Sequence, residues 1–121
     1  VVYTALDPER PATTSRIVMD EIIRGHIGYD GLVMTDDLSM HALSGSFRER
    51  TEAAFAAGCD MALHCNGSMD EMSAVAEAAP VLAGDALRRA NAALARITHD
   101  PEPLHPVDAR ARLDSALAMI A

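Results

Sequence analysis

The chain has 121 residues and a formal net charge of −8, and half of its residues are hydrophobic. This length predicts at most one domain. The acidic balance argues against nucleic acid and against an anionic membrane surface as partners, because both need basic patches. No apolar run approaches the ~18 residues of a membrane-spanning helix, and a signal-peptide pattern is missing from the first residues. We therefore expect a soluble, cytoplasmic protein.

The first segment, residues 1–5, is apolar and predicts a strand that Leu6-Asp7-Pro8 ends. Asp7 would then lie at the carboxyl end of that strand. The chain opens on this apolar run without a Met and without a lead-in. We therefore expect it to be a piece of a longer protein.

The next element is a helix over residues 16–24, with apolar residues at loosely helical spacing. Thr13, Thr14 and Ser15 precede it and are candidate N-cap residues. Gly25 or Gly28 can end it.

The central element is a short apolar strand, residues 32–35, followed by two adjacent carboxylates, Asp36 and Asp37. An apolar run closed by polar residues suits a strand covered on both faces. Carboxylates at the carboxyl end of such a strand lie where α/β sheets and barrels place their chemistry. The alternative is that one carboxylate only caps the following turn or helix.

A loop over residues 40–46 follows, of the kind that covers a site. Residues 47–57 predict a helix with Gly58 as its C-terminal cap. Residues 59–65 predict a third strand that ends at the turn Asn66-Gly67. His64, within that strand, is expected to be a structural histidine with satisfied hydrogen bonds.

The two cysteines, Cys59 and Cys65, fall at the two ends of that third strand. In one strand they would be too far apart for a disulfide bond. Neither has the spacing of a zinc site. We expect both to be buried thiols in a reducing compartment.

Three helices complete the prediction, over residues 69–79, 84–98 and 106–120, and Pro80 stops the first of them. The predicted order is β-α-β-α-β-α-α-α, an α/β fold with a parallel sheet. The length is poor for a complete doubly wound domain. It suits the C-terminal third of a (β/α)8 barrel, about three βα units plus extra helices, with no complete domain boundary. Three such strands leave open edges, which the missing N-terminal barrel portion or self-association would have to cover.

The ordered series of motifs resembles the family 3 glycoside hydrolases, and within them the bacterial β-N-acetylhexosaminidases of the peptidoglycan-recycling type. The similarity covers residues 1–66 well, and the tail is similar mainly in its helical character. The motifs that carry the resemblance are Pro11-Ala-Thr-Thr-Ser15, Gly28-Tyr-Asp-Gly31, Val33-Met-Thr-Asp-Asp-Leu-Ser-Met40 and Ala56-Ala-Gly-Cys-Asp-Met61.

The resemblance implies a retaining glycosidase in which Asp36 is the catalytic nucleophile and Asp37 supports its neighbourhood. Met40 would lie in the loop beside the sugar. The implied substrate is a saccharide that contains N-acetylglucosamine, such as a peptidoglycan fragment, and we expect neither a cofactor nor a metal. A retaining enzyme needs an ionised carboxylate aimed at the anomeric carbon, and a rigid strand end suits that need.

The resemblance also implies groups that this chain does not carry. Members of the family hold the general acid/base, a histidine paired with an aspartate, on a mobile loop after an earlier strand, and they bind sugar through a Lys-His motif. The five histidines of this chain do not match those motifs: His26, His41, His64, His99 and His105. We therefore expect the 121 residues alone to be inactive.

Two other interpretations stay open at this stage. In a receiver-like or phosphatase-like domain, Asp36 and Asp37 would hold Mg²⁺, with Asp7 as a further ligand. Alternatively, the chain is a non-catalytic truncated piece that folds only by association. Whether Tyr3 or Asn66 touches substrate is also left open by the sequence.

Overall fold

The computed structural model describes residues 1–120, and within that range it is a mixed α/β structure. Two short parallel strands, β1 (Met34–Asp37) and β2 (Met61–Leu63), form the sheet. Met34 pairs with Met61 and Asp37 with Leu63, and the register is irregular between these pairs. No helix among these residues is long and apolar enough to cross a membrane.

Helices surround the two strands. A 3₁₀ turn, Ala12–Thr14, precedes a π-helix, Ile17–His26. Four α-helices follow: α1 (Phe47–Ala57), α2 (Met69–Ala78), α3 (Gly84–Leu94) and α4 (Pro106–Ala118). Helix α1 connects the two strands and packs against α2, β2 and the 3₁₀ turn.

The predicted first strand is wrong. Residues 4–6 form a turn, and Val1, Val2 and Tyr3 are exposed. The main-chain N–H groups of Leu6 and Asp7 both donate to the carbonyl of Tyr3. A strand needs a neighbouring strand as hydrogen-bond partner, whereas here the Tyr3 carbonyl accepts its hydrogen bonds within a turn.

The predicted helix over residues 16–24 exists but continues to His26, through Gly25. Of the candidate caps, Ser15 fills the role, because its Oγ accepts the N–H of Val18 at 3.2 Å. Gly28 lies just beyond the helix with a φ of +72°, a conformation that favours glycine.

Helix α1 was predicted with its observed bounds, and its two ends explain why. Ser46 Oγ accepts the N–H of Glu49, and the Glu49 carboxylate accepts the N–H of Ser46 in return, which is a capping box. Gly58 ends the helix in the left-handed region with a φ of +112°. These local signals fix the helix before any packing.

One hydrophobic core joins α1 to the strands. Leu38 and Ala54 are fully buried at its centre, and both come from the segment between β1 and β2. The other buried members are Met19, Leu43, Ala57 and Cys59, with Ile23, Val33, Phe47, Ala62 and Val75 packed around them.

Helices α3 and α4 lie largely outside this core. Ala90 is the buried residue of α3, and no side chain of α4 is buried. Both helices are shorter than predicted, because α3 ends at Leu94 and α4 at Ala118. The prediction placed the end of α4 at residue 120, two residues beyond its observed end.

Candidate active site

The candidate site is the carboxyl end of β1. The observed strand begins two residues later than predicted and includes Asp36 and Asp37 as its last two residues. Thr35 is buried and Asp36 is exposed, as the alternation of a strand requires. Thr35 Oγ also accepts the N–H of Leu63 at 2.9 Å and so ties β1 to β2.

Of the two adjacent carboxylates, the Asp36 carboxylate accepts fewer hydrogen bonds from the protein. Its Oδ1 accepts the main-chain N–H of Asp37 at 2.8 Å, and the side chain faces solvent. An exposed carboxylate on a rigid strand end can reach a bound substrate. The role of Asp36 as the nucleophile stays a prediction.

The Asp37 carboxylate instead accepts hydrogen bonds at both of its oxygens. Its Oδ1 accepts the N–H of Ser39 at 3.0 Å and the N–H of Cys65 at 3.2 Å, and its Oδ2 accepts the Ser39 hydroxyl. The Ser39 hydroxyl is the largest cause of a lowered pKa for Asp37, followed by the Ser39 N–H. Asp37 therefore holds the turn after β1 against the end of β2.

The loop over residues 38–46 is fastened to the helix that follows it. Arg50 on α1 donates to the carbonyl of Leu38 at 2.8 Å and to that of Gly45 at 3.0 Å. It also reaches the carbonyl of Met40 at 3.5 Å. Met40 is half-buried in this loop, four residues after Asp36. The sequence analysis did not single out Arg50, since a loop-fastening arginine has no local spacing signal.

Beyond β2, three polar side chains meet. The His64 imidazole is buried, with Nε2 lying 3.2 Å from Glu71 Oε2 and Nδ1 lying 3.9 Å from Asp37 Oδ1. Asn66 Nδ2 donates to Glu71 Oε2 at 3.1 Å. Neither ring nitrogen of His64 makes a hydrogen bond within residues 1–120. The expectation of a histidine with satisfied hydrogen bonds is therefore wrong.

Asp7 is buried, and its carboxylate accepts hydrogen bonds from residues that follow it closely in the chain. It accepts hydrogen bonds from the Ser15 hydroxyl at 2.7 Å and from the N–H groups of Glu9 and Arg10. The Ser15 hydrogen bond is the main cause of the lowered pKa of Asp7. Across residues 1–120, no group of three or more His, Cys, Asp or Glu side chains could hold a metal ion. The structure thus offers no support for the Mg²⁺ interpretation.

The two cysteines have different environments. Both are free thiols, and Cys59 is buried while Cys65 is exposed. The prediction of a buried Cys65 is wrong, because β2 ends at Leu63, two residues before it. Burial raises the pKa of the Cys59 thiol to about 11, with a further contribution from the charge of Asp60.

A second polar centre, which the sequence analysis missed, lies at the opposite end of the strands. The Asp60 carboxylate precedes β2, and 4% of the side chain is exposed. It accepts hydrogen bonds from Arg24 at 2.7 Å, from Arg89 at 2.9 Å and from the N–H of Val33 at 2.9 Å. It thereby joins the π-helix, the start of β1 and helix α3.

The same centre extends to the surface through Asp30. Hydrogen bonds from Arg88 and Arg89 lower the pKa of Asp30 to about 2. Burial lowers the pKa of Arg89, but its bonds to Asp60 and Asp30 outweigh this and raise it overall. We call the five residues Arg24, Asp30, Asp60, Arg88 and Arg89 the Asp60 cluster.

Two cavities lie away from Asp36. One of 390 Å³ is bounded by α1 and by the segment around the 3₁₀ turn, with Arg10 and Arg16 on its wall. The other, of 490 Å³, lies between β2, α2 and α3 and is lined mainly by apolar side chains. Asp36 lines neither cavity.

The carboxyl end of a parallel strand is where (β/α)8 barrel enzymes place their active sites, and glycoside hydrolases use a pair of carboxyl groups for their chemistry. Residues 1–99 match the model of the glycosyl hydrolase family 3 N-terminal domain. The chain therefore belongs to glycosyl hydrolase family 3, as the motif series predicted.

Two beta-hexosaminidases are similar to this chain in sequence. A beta-hexosaminidase of Aromatoleum aromaticum is 37% identical over 117 residues, which is 93% of this chain and 33% of the relative. A beta-hexosaminidase of Tolumonas auensis is 47% identical over 68 residues, which is 54% of this chain and 20% of the relative.

A solved structure is also similar. The beta-N-acetylhexosaminidase from Beutenbergia cavernae superimposes with a TM-score of 0.58 and 36% sequence identity, over 77% of this chain and 31% of that one. The chain thus spans between a fifth and a third of the length of these relatives.

Proposed function

We propose that this chain forms part of a β-N-acetylhexosaminidase that hydrolyses terminal N-acetylglucosaminides, such as peptidoglycan fragments, with retention of anomeric configuration. The observation that carries the proposal is the exposed Asp36 carboxylate at the end of β1 in a chain of glycosyl hydrolase family 3. The relatives, which are beta-hexosaminidases and a beta-N-acetylhexosaminidase, support the substrate class.

In the proposed reaction, an Asp36 oxygen attacks the anomeric carbon while the bond from that carbon to the leaving-group oxygen breaks. The leaving-group oxygen takes a proton from a general acid, and the sugar stays attached to Asp36 as an ester. Water, deprotonated by the same group, then attacks the anomeric carbon and frees Asp36. Asp37 is a poor candidate for either role, because both of its oxygens accept hydrogen bonds within the protein.

The general acid/base is proposed to come from outside these 121 residues. We propose that the chain supplies the C-terminal part of a (β/α)8 barrel, whose remaining strands, or a second copy of the chain, cover the open edges of the sheet. Met34 and Met61 pair in the sheet and are 53% and 39% exposed, so the strands present apolar surface that a neighbour could bury.

We also propose a cytoplasmic location. The two thiols, Cys59 and Cys65, are free, which is usual in a reducing compartment. Recovered cell-wall fragments would be the matching substrates there.

The test uses the protein that carries this segment, at its full natural length, with a chromogenic N-acetyl-β-D-glucosaminide. Asp36→Ala should lower kcat by about 10³-fold or more, because the covalent route is lost. Added azide should restore turnover in this variant and give a glycosyl azide of inverted configuration. Asp114→Ala, which removes an exposed carboxylate on α4, is the matched control and should be fully active.

Two results would contradict the proposal. Full activity of Asp36→Ala would remove Asp36 from the mechanism. Turnover by the isolated 121-residue chain, lost on Asp36→Ala, would mean that the acid/base lies within this segment after all.

A further inference from the structure

His64 poses a problem that the proposed mechanism leaves unanswered. Its side chain is 6% exposed, and neither ring nitrogen makes a hydrogen bond within the part of the chain that the structure describes. A buried polar group without a partner costs free energy, so a strand end that carries one needs a compensating interaction. The carboxylates beside the two nitrogens can supply it.

Each element packed against His64 brings a named group. Strand β1 contributes the Asp37 carboxylate and α2 contributes the Glu71 carboxylate, one beside each ring nitrogen. Helix α1 contributes the Phe47 ring, which meets the imidazole edge-on with 5.0 Å between ring centroids. Arg50, also on α1, lies over the same Phe47 ring at 5.3 Å and is the cation of this neighbourhood.

The number of hydrogen-bond donors distinguishes the neutral from the protonated form of the His64 imidazole. A neutral imidazole has one donor and one acceptor nitrogen, whereas the protonated ring has two donors. Ionised carboxylates only accept hydrogen bonds. Since a carboxylate lies beside each nitrogen of His64, the doubly protonated ring is the form that suits both.

A short chain of contacts then leads to the nucleophile. The Asp37 carboxylate beside His64 also binds the N–H groups of Ser39 and Cys65. The main-chain N–H of Asp37 in turn donates to the Asp36 carboxylate at 2.8 Å. A shift of Asp37 would therefore move the hydrogen-bond donor that orients Asp36.

We infer that His64 is a positioning residue: as an imidazolium between Asp37 and Glu71, it fixes the end of β1 and thereby the Asp36 carboxylate. This inference rests on the proposed function, in which Asp36 attacks the sugar. It assigns His64 no contact with substrate. Misplacement of a reacting group by about 1 Å can cost about 10²-fold in rate, which sets the scale of the effect.

Two substitutions of His64 distinguish the effect of ring packing from the effect of hydrogen-bond donation. His64→Phe keeps an aromatic edge against Phe47 but has no donor. His64→Gln has no ring but keeps a nitrogen donor group, which can serve one of the two carboxylates. In the full-length protein we expect kcat to fall about 10-fold in His64→Gln and about 10²-fold in His64→Phe, with KM changed less than kcat. A histidine that only packs would give the reverse order, with His64→Phe the more active variant.

The split between kcat and KM gives the readout that packing alone would not move, because a misplaced Asp36 carboxylate lowers kcat. Unchanged kcat in both variants would overturn the inference.

Asp36→Ala distinguishes this inference from the proposed function. If Asp36→Ala is as active as wild type, the proposed function fails. If Asp36→Ala is inactive but the His64 variants match wild type, only the role of His64 fails. Nitrogen NMR of the wild-type imidazole decides the matter even where a variant does not fold: two protonated ring nitrogens at neutral pH are expected, and a single neutral tautomer would overturn the inference.

Discussion

The Asp37 carboxylate accepts the main-chain N–H of Cys65 at 3.2 Å, so the residue after the predicted nucleophile is tied to the neighbouring strand end. The Ser39 hydroxyl binds the same carboxylate and is the largest cause of its lowered pKa. Asp37 thus stays ionised in acid conditions that protonate ordinary aspartates.

Ser39→Ala should raise the pKa of Asp37 toward its ordinary value, though not fully, because the two N–H donors remain. The folded pKa is depressed, so the stabilisation is present above the unfolded value of about 3.9 and is lost as pH falls through the folded pKa. Carboxyl NMR titration of both proteins checks the shift. An unchanged Asp37 titration in Ser39→Ala would contradict the prediction.

Asp60→Asn should destabilise the fold severely. The buried carboxylate neutralises Arg24 and Arg89, whose side chains are 17% and 15% exposed. The amide would leave Arg24 without a counter-charge and would leave Arg89 with only its bond to Asp30. Removing one partner of a buried ion pair costs about 3–5 kcal/mol. Urea unfolding measures the loss.

A matched control for this prediction is Asp114→Asn. Asp114 pairs with Arg110 on the surface of α4, where the two side chains are 60% and 75% exposed. An exposed pair is worth about 0–1 kcal/mol. Equal losses in the two variants would show that burial of the Asp60 cluster does not matter.

Gly58→Ala should cost about 1–2 kcal/mol, because a Cβ is strained in the left-handed region. The φ of Gly58 is +112°, and a Cβ there would lie 3.1 Å from Asp20 Oδ1 and 3.4 Å from Met19 Cβ. Thermal or urea unfolding checks the value.

Gly67→Ala is the comparison for Gly58. Gly67 has a negative φ, and a Cβ there would meet nothing within 4 Å. We expect its stability to be unchanged or slightly higher, since the unfolded chain loses freedom. If Gly67→Ala were the more damaging of the two, the conformational argument would be wrong.

The two thiols should react at different rates with a disulfide reagent. Cys65 is exposed, whereas burial raises the pKa of Cys59 to about 11 and keeps its reactive thiolate scarce. One thiol per chain should react quickly and the second only on unfolding. In Cys65→Ser the fast reaction should disappear, and two fast thiols in the wild type would contradict the structure.

Local signals in the sequence predicted much of the fold. Helix α1 has its predicted bounds because a serine cap and Gly58 close it from within the segment. The strand that ends in Asp36 and Asp37 was also found, two residues away from its observed start. Both predictions use interactions among residues close together in the chain.

The predictions that failed concern residues whose interaction partners are far away in the chain. The apolar residues 1–5 predict a strand, but strand propensity is realised only against a neighbouring strand. Here the carbonyl of Tyr3 accepts the N–H groups of Leu6 and Asp7 in a turn instead. Asp60 binds Arg24 across 36 residues, a separation that no periodicity encodes. For His64 the sequence predicts a structural histidine with satisfied hydrogen bonds, because nothing local shows that its two carboxylate neighbours come from other elements.

The Asp60 cluster also limits how this segment can be exchanged between related proteins. Its members run from Arg24 to Arg89, so a recombination crossover between them would pair an arginine from one parent with the surroundings of another. Residues 24–89 should therefore be inherited as one block. The tail from residue 95 onward, whose side chains are nearly all exposed, is where a gene can be cut and rejoined at least cost.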